Sequence, residues 1–306
     1  MQQLTRHERK RRFSEVSENT ALDVFKGAFF AIYRNKRAFI GMIILILFLL
    51  TAVFGPMILS QDLLKQNLRA RVQWPSWEHP LGTDNKGKDT LAQFVYGSRG
   101  VLQVVFFAAL FTILIASAIG MTAGLLGGVV DSVLMFITNL ILTVPLFPIL
   151  MILTLLIEIT NPVLFGLVLA VWNWGGLARA IRSQIMAVKQ RDYIEAARIL
   201  GMPSHHIIIK ELLPSITSFL ATNSIFIMRG AITASMNLMV LGLVPFSSSH
   251  WGMMLQLAIT STGALFGSSA IIYFLVPVVG IALFGMGCLF FASGLDEALN
   301  PRLRTR

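Results

Sequence analysis

The sequence predicts an all-α membrane protein with six transmembrane helices and a two-helix loop on the cytoplasmic side. Of its 306 residues, 55% are hydrophobic and only 13% charged, far more apolar than a soluble domain of this length. Its uncharged runs reach about 20 residues, the length a helix needs to cross about 30 Å of hydrocarbon. The 25 lysines and arginines give a net charge of +10, but they fall in blocks between the apolar runs, which is the pattern of membrane orientation and not of a nucleic-acid partner.

Residues 1–37 form a cytoplasmic N-terminal segment, too long and too charged before the first apolar run to be a cleaved signal peptide. Within it Thr20 and Asp23 read as a helix start. Leu22, Phe25, Phe29, Ile32 and Tyr33 then recur at helical spacing opposite basic residues, as in a helix lying in the membrane interface. The first span occupies 38–59, within a 38–60 block, and an extracytoplasmic segment follows over 61–98. The core, 99–294, holds the remaining spans at about 101–126, 131–158, 158–179, 216–244 and 271–293. A cytoplasmic tail covers 295–306. With six crossings the segments rich in Lys and Arg (1–37, 179–210 and the tail) share one side, eighteen basic residues against six in 61–99, and that side is expected to be cytoplasmic.

Several features inside the spans bear on packing. Gly120, Gly124 and Gly128 make a stripe on which another helix can close, within the bundle or on a partner subunit. Pro145, Pro148 and Pro277 permit kinks. Asp131 and Glu158 read as boundary residues in contact with water. Cys288 reads as a small packed side chain.

The stretch Gly82-Thr-Asp-Asn-Lys-Gly-Lys-Asp89 is one residue short of a phosphate-binding loop. Asp89 stands where the magnesium-binding hydroxyl belongs, and no strand precedes it, so nucleotide binding is not expected here. His205 and His206 are adjacent on a helix and point to different faces, which does not suit a shared metal. No Ser/His/Asp grouping, HExxH or carboxylate pair stands at catalytic spacing. The chain is therefore expected to be neither an enzyme nor a holder of a cofactor or metal.

The segment "RDYIEAARILGMPSHHIIIKELLPS" carries the function. Residues 192–200 favour a helix with Glu195, Ala196 and Ala197 inside it and Arg191 paired to Glu195. Gly201 permits a sharp end and Pro203 enforces it. A second short helix starts at Ser204, burying Ile207, Ile208, Leu212 and Leu213, before Pro214 leads into the fifth span. The product is a bracket, or handle, on which something outside the bilayer can push.

The pattern Glu195-Ala196-Ala197, Gly201, Leu213-Pro214 resembles the EAA loop of ABC importer permeases. "HPLGTD" at 79–84 with Gly87, Asp89 and "YGSR" at 96–99 is similar to a segment of the dipeptide, oligopeptide and nickel permease family, C-type subunit. So are "WNWGGLARAIRSQ", "WGMML" and "GLDEALNPRLR", and the similar blocks run in order over most of 27–304. The resemblance implies a type I importer fold in which Tyr193, Glu195, Ala196, Ala197, Gly201, Pro203 and Pro214 couple to ATPase subunits. It further implies a homologous B-type permease as pore partner, two ATPases that bind ATP and Mg, and an extracytoplasmic substrate-binding protein. The cargo is expected to be di- or oligopeptides, with oligosaccharides or nickel complexes as alternatives. The chain departs from the family pattern at Glu211, Ser235, Ser247–His250 and Arg229, mostly in and just after the fifth span, where substrate choice is expected to lie.

Arg229 falls near mid-membrane, where an unpaired charge costs at least roughly 3 kcal/mol and must face the bundle interior or a wet path. With Ser235 and Asn237 it is a candidate for the translocation path, where it would favour an anionic group. Bonding to carbonyls or acids of a neighbouring subunit is the alternative. A stand-alone channel or secondary transporter would not need such a bracket and more often shows internal repeats, which are not found.

Overall fold

The computed structural model describes residues 32–244, 247, 249–262 and 270–299. The interfacial helix expected over 20–33 lies almost wholly outside the described residues, as does the tail from 300. The described residues are helical apart from turns and one isolated bridge between Thr83 and Asp89.

Helix α1, Lys36–Ile58, starts on Asn35, whose side chain accepts from the backbone of Arg37 and Ala38 at 3.1 and 3.2 Å. Ala38, Gly41, Phe48 and Ala52 make its buried face, while Ile43, Leu47, Leu50 and Phe54 point outward as expected against lipid. Helix α2, Thr90–Leu126, is capped by Asp89, which accepts from the amide of Ala92 at 2.7 Å. It begins well before Arg99, earlier than the apolar run implies, because that cap and the folded segment ahead of it support the extra turns. Its 37 residues make a rod of about 55 Å.

The expected third span is two helices. α3, Gly128–Thr143, and α4, Leu146–Leu156, meet at about 90° across Val144 and Pro145. Proline cannot supply the amide that would continue α3, and its ring disfavours a helical residue before it. Each half alone is too short to cross hydrocarbon. Helix α5, Pro162–Val188, runs nine residues beyond the boundary expected at Arg179. The charge does not end it because Arg179 donates to Asn139 at 2.6 Å, and Arg182 forms a two-bond ion pair with Asp131, 2.5 Å in each bond. Asp131 is thus part of a clamp between α3 and α5, and not simply a water-facing boundary residue; Glu158 is exposed.

The bracket follows as α6, Asp192–Ile199, and α7, Ser204–Ser215, the latter with a wider turn over Ile208–Leu212. Helix α8, Thr217–Val240, leaves α7 at 71°. It stops four residues short of the expected 244. Gly242 takes φ +73°, and the amides of Gly242 and Leu243 bond to the carbonyls of Met239 and Leu238, a left-handed helix end that only glycine adopts cheaply. The short α9, Trp251–Ser261, and α10, Ile271–Leu299, are the last of the described elements. Among the described residues four helices are individually long and apolar enough to cross a membrane, and the two bent pairs bring the number to six when each pair is one crossing.

Helices α2 and α5 pack along much of their length. A Cβ on Gly120 would lie 2.5 Å from the carbonyl oxygen of Ala178, and one on Gly124 would lie 2.8 Å from the Cβ of Ile185. Both glycines therefore serve packing within the chain. Gly128 does not extend their stripe: it opens α3 at φ +55° with open space around it, and with Gly127 at φ +69° it forms the junction of α2 and α3.

Candidate functional site

At one end of the bundle the bracket is seated on the core. Ile194 and Ala197 of α6, Ile207 and Leu212 of α7, and Ile216 are buried against Met121 and Leu125 of α2 and Ile181, Ile185 and Val188 of α5. This follows from the sequence pattern: the apolar residues at 194 and 197 share one helix face, and 207 and 212 extend it across the turn. Glu195 and Ala196 lie on the opposite, exposed face. Arg191 and Glu195 form no ion pair with each other; the contact between them is the Glu195 amide on the Arg191 carbonyl at 3.3 Å.

The bracket's elbow is built by Gly201 at φ +72°, with the Met202 amide reaching back to Ala197 at 3.1 Å, and by Pro203, whose ψ of 147° sets the start of α7. Tyr193 closes the two arms: its hydroxyl lies 3.0 Å from Ser215 Oγ, which donates to the Glu211 carbonyl at 2.6 Å. Pro214 is exposed on α7, just ahead of the bend into α8. The tip is apolar and uncovered, with Ile199 80%, Leu200 74% and Met202 38% exposed. Sequence periodicity missed this tip because its residues continue past the helix end, where a helical wheel no longer applies.

Behind the bracket, Lys189 Nζ donates to the Leu125 carbonyl at 2.7 Å, satisfying the last turn of α2. With the Asp131–Arg182 clamp it frames a cavity of about 660 Å³ bordered by Gly124, Gly127, Gln190, Glu195 and Ile199. The bracket is thereby joined to the α2–α3 junction through α5. No single stretch of sequence reveals that link, since its partners stand 51 and 64 positions apart.

In mid-bundle, α8 divides into two faces. Ala231, Ile232, Ser235, Met236, Leu238 and Met239 are buried. Phe226, Arg229, Gly230, Thr233 and Asn237 are exposed on the other side. Arg229 and Asn237 therefore share a face, but Ser235 does not: its hydroxyl donates to the Ile232 carbonyl at 2.9 Å inside the subunit. The exposed face borders a cavity of about 530 Å³ shared with Phe147 and Leu150 of α4.

At the opposite end, 60–89 folds into a knot held by two buried carboxylates. Asp84 accepts from the amides of Lys86 and Lys88 at 2.8 and 2.9 Å and from Gln93 Nε2 at 3.1 Å. Asp89 caps α2 and meets His79 Nδ1 at 3.0 Å. The amide of Gly87 also turns inward, to the Asp84 carbonyl. These amides are already spent within the loop. Replacing Asp84 with alanine removes the carboxylate from the amides of Lys86 and Lys88 and leaves Gln93 Nε2 only its longer bond to the Lys88 carbonyl, 3.4 Å. It is expected to cost about 2–3 kcal/mol, read as a lower midpoint of thermal unfolding in detergent, whereas Lys86→Ala is expected to stay within about 0.5 kcal/mol. Nearby, Trp251 stacks on Phe94 with ring centres 4.5 Å apart and donates to the Phe94 carbonyl at 2.9 Å, fixing α9 to α2. Burial holds the neighbouring His250 imidazole down to a pKa of about 3, so the ring is neutral.

Comparison with known proteins agrees with this architecture. Residues 116–305 match the family described as binding-protein-dependent transport system inner membrane component, and residues 24–75 match the N-terminal TM domain of oligopeptide transport permease C. The dipeptide transport system permease protein DppC of Alkalihalophilus pseudofirmus is 30% identical over 94% of this chain and 92% of its own length. DppC of Bacillus subtilis is 30% identical over 97% and 92%, and the oligopeptide permease OppC of the same organism 29% over 95% and 94%. The chain therefore belongs to the family of inner membrane components of binding-protein-dependent transport systems, as an integral membrane ABC permease subunit of the dipeptide and oligopeptide C type.

Proposed function

We propose that this subunit forms half of the translocation pore of an ATP-driven importer of di- or oligopeptides, with the bracket as the docking point of an ATPase subunit. The observation that carries the proposal is the contrast within the bracket between a base sunk among α2 and α5 and an uncovered apolar tip at Ile199, Leu200 and Met202. Exposed apolar side chains on a rigidly seated elbow suit a protein partner. In this reading the bracket and both termini are cytoplasmic, the 60–89 knot is extracytoplasmic, and the six crossings are α1, α2, the bent α3–α4 pair, α5, α8 and α10. A homologous permease completes the pore, a binding protein delivers the cargo at the knot end, and the ATPases alone handle ATP and Mg. Peptides are favoured over oligosaccharides or nickel complexes because the relatives that cover nearly the whole chain are named for dipeptides and oligopeptides.

ATP closing two ATPases would move the bracket, and the buried side chains and the Lys189 and Arg182 bonds would pass that motion to α2, α3 and α5. Such a device has two discrete packings biased by a ligand. Leu200→Asp places a charge at the centre of the docking tip without touching the seated base. It is expected to release the ATPases on co-purification and to cut uptake at least about tenfold, with the subunit still in the membrane. Uptake and co-purification equal to wild type would overturn the docking role. An impermeant thiol reagent should reach Ile199→Cys, in a Cys288→Ser background, from the cytoplasmic face alone; labelling from outside would overturn the orientation.

A further inference from the structure

We propose that Arg229 is the specificity-determining group of the pore wall and selects peptides that carry a free C-terminal carboxylate. This inference rests on the peptide reading of the preceding section.

Arg229 stands twelve residues into α8, about 18 Å along the helix, at a depth where an unpaired charge is costly. Its guanidinium forms no ion pair with any described residue. The surrounding face explains how it is tolerated. Phe226, Gly230, Thr233 and Asn237 share the exposed stripe, and none carries a charge. Gly230 adds no side chain to the stripe, since a Cβ there would meet nothing within 4 Å, and the guanidinium Nε lies 3.9 Å from where a Cβ on Gly285 of α10 would stand. The stripe opens on the cavity of about 530 Å³ closed on one side by Phe147 and Leu150, a size in the range of small-ligand sites.

The wall thus combines one positive fork, a hydroxyl and an amide one and two turns further on, and aromatic and aliphatic surface. A guanidinium presents paired N–H donors that match a carboxylate in two parallel bonds. Thr233 and Asn237 continue the polar line along the helix axis, where they can meet a peptide's amide groups, and Phe226, Phe147 and Leu150 take side chains of no fixed identity. A site of this kind selects the end of the peptide and stays indifferent to its sequence. Ser235 has no part in it, because it faces the subunit interior.

The test uses the assembled complex in liposomes, with its partner permease, ATPases and binding protein. The probe is an equimolar library of two- to five-residue peptides, each present as free acid and as C-terminal amide, with imported material quantified by mass spectrometry. Arg229→Gln is expected to lower the acid-to-amide ratio about tenfold, the scale of one hydrogen-bonded charge pair, and Arg229→Lys to lower it less, since the charge persists without the fork. Thr233→Glu keeps the arginine but supplies an internal carboxylate one turn away, and is expected to lower the ratio as Arg229→Gln does.

An unchanged ratio in Arg229→Gln overturns the proposal. If that variant fails to assemble, an unchanged ratio in Thr233→Glu overturns it equally, and would mark the arginine as a partner-subunit contact. A wild-type complex that imports no peptide of either kind, but does import an oligosaccharide or nickel complex, overturns the peptide reading itself and is distinguishable from both.

Discussion

Gly201→Val is expected to cut ATP-coupled uptake more than tenfold while leaving the subunit in the membrane and the ATPases competent to hydrolyse ATP. The cause is the backbone. Gly201 sits at φ +72° with nothing within 4 Å of the position a Cβ would take, so added bulk meets no neighbour. A β-branched residue instead has to leave the left-handed region, at a cost of roughly 1–2 kcal/mol if it stays. The elbow opens, and the tip at Leu200 is re-aimed relative to the seated base. Asparagine tolerates this conformation best after glycine, so uptake is expected to rank glycine, asparagine, alanine, valine. Parallel assays of uptake and hydrolysis in proteoliposomes check it; a valine variant with normal uptake removes the elbow from the mechanism.

The second large effect is expected at Gly120→Leu. Even a Cβ there falls 2.5 Å from the Ala178 carbonyl oxygen and 2.8 Å from the Ile181 Cβ, in the middle of the long α2–α5 contact, and a whole side chain forces the helices apart. Overpacking of this kind costs about 3 kcal/mol or more. It is expected to appear as a clear fall in the unfolding midpoint in detergent and a loss of complex during purification. Gly128→Ala is the contrasting variant. It has free space and only a positive φ to contend with, so a cost of about 1 kcal/mol is expected. Equal losses at the two positions would mean that all three glycines form one packing stripe.

That contrast shows where sequence reading works and where it stops. The membrane class, the all-α fold and the bracket with its elbow at Gly201 and Pro203 were legible, because apolar run length and the conformational limits of glycine and proline are local properties. The right-angle break at Pro145 was signalled but underestimated, since a proline in an apolar run is compatible with both a bend and a full break. The end of the fourth span was placed too early for a different reason. Arg179 looks like a stop only until Asn139, forty positions away, takes up its guanidinium and Asp131 pairs with Arg182 across fifty-one positions. Grouping Ser235 with Arg229 and Asn237 failed on geometry alone: six residues separate Ser235 from Arg229, which at 3.6 residues per turn turns its side chain well away from the arginine. The reverse calculation would have found Phe226 and Thr233, three and four positions from Arg229, and Gly230, seven positions before Asn237.

Helix α2 starts on its cap Asp89, inside the knot, and runs to Leu126, one residue past Leu125, whose carbonyl is held by Lys189 beside the bracket. No break interrupts its 37 residues. A beam of that kind cannot tilt at one end alone, so the two faces of the bilayer are mechanically in series. In the reading proposed above, arrival of a loaded binding protein on one side would reach the ATPases on the other as a lean of this single strut, without any messenger crossing between them.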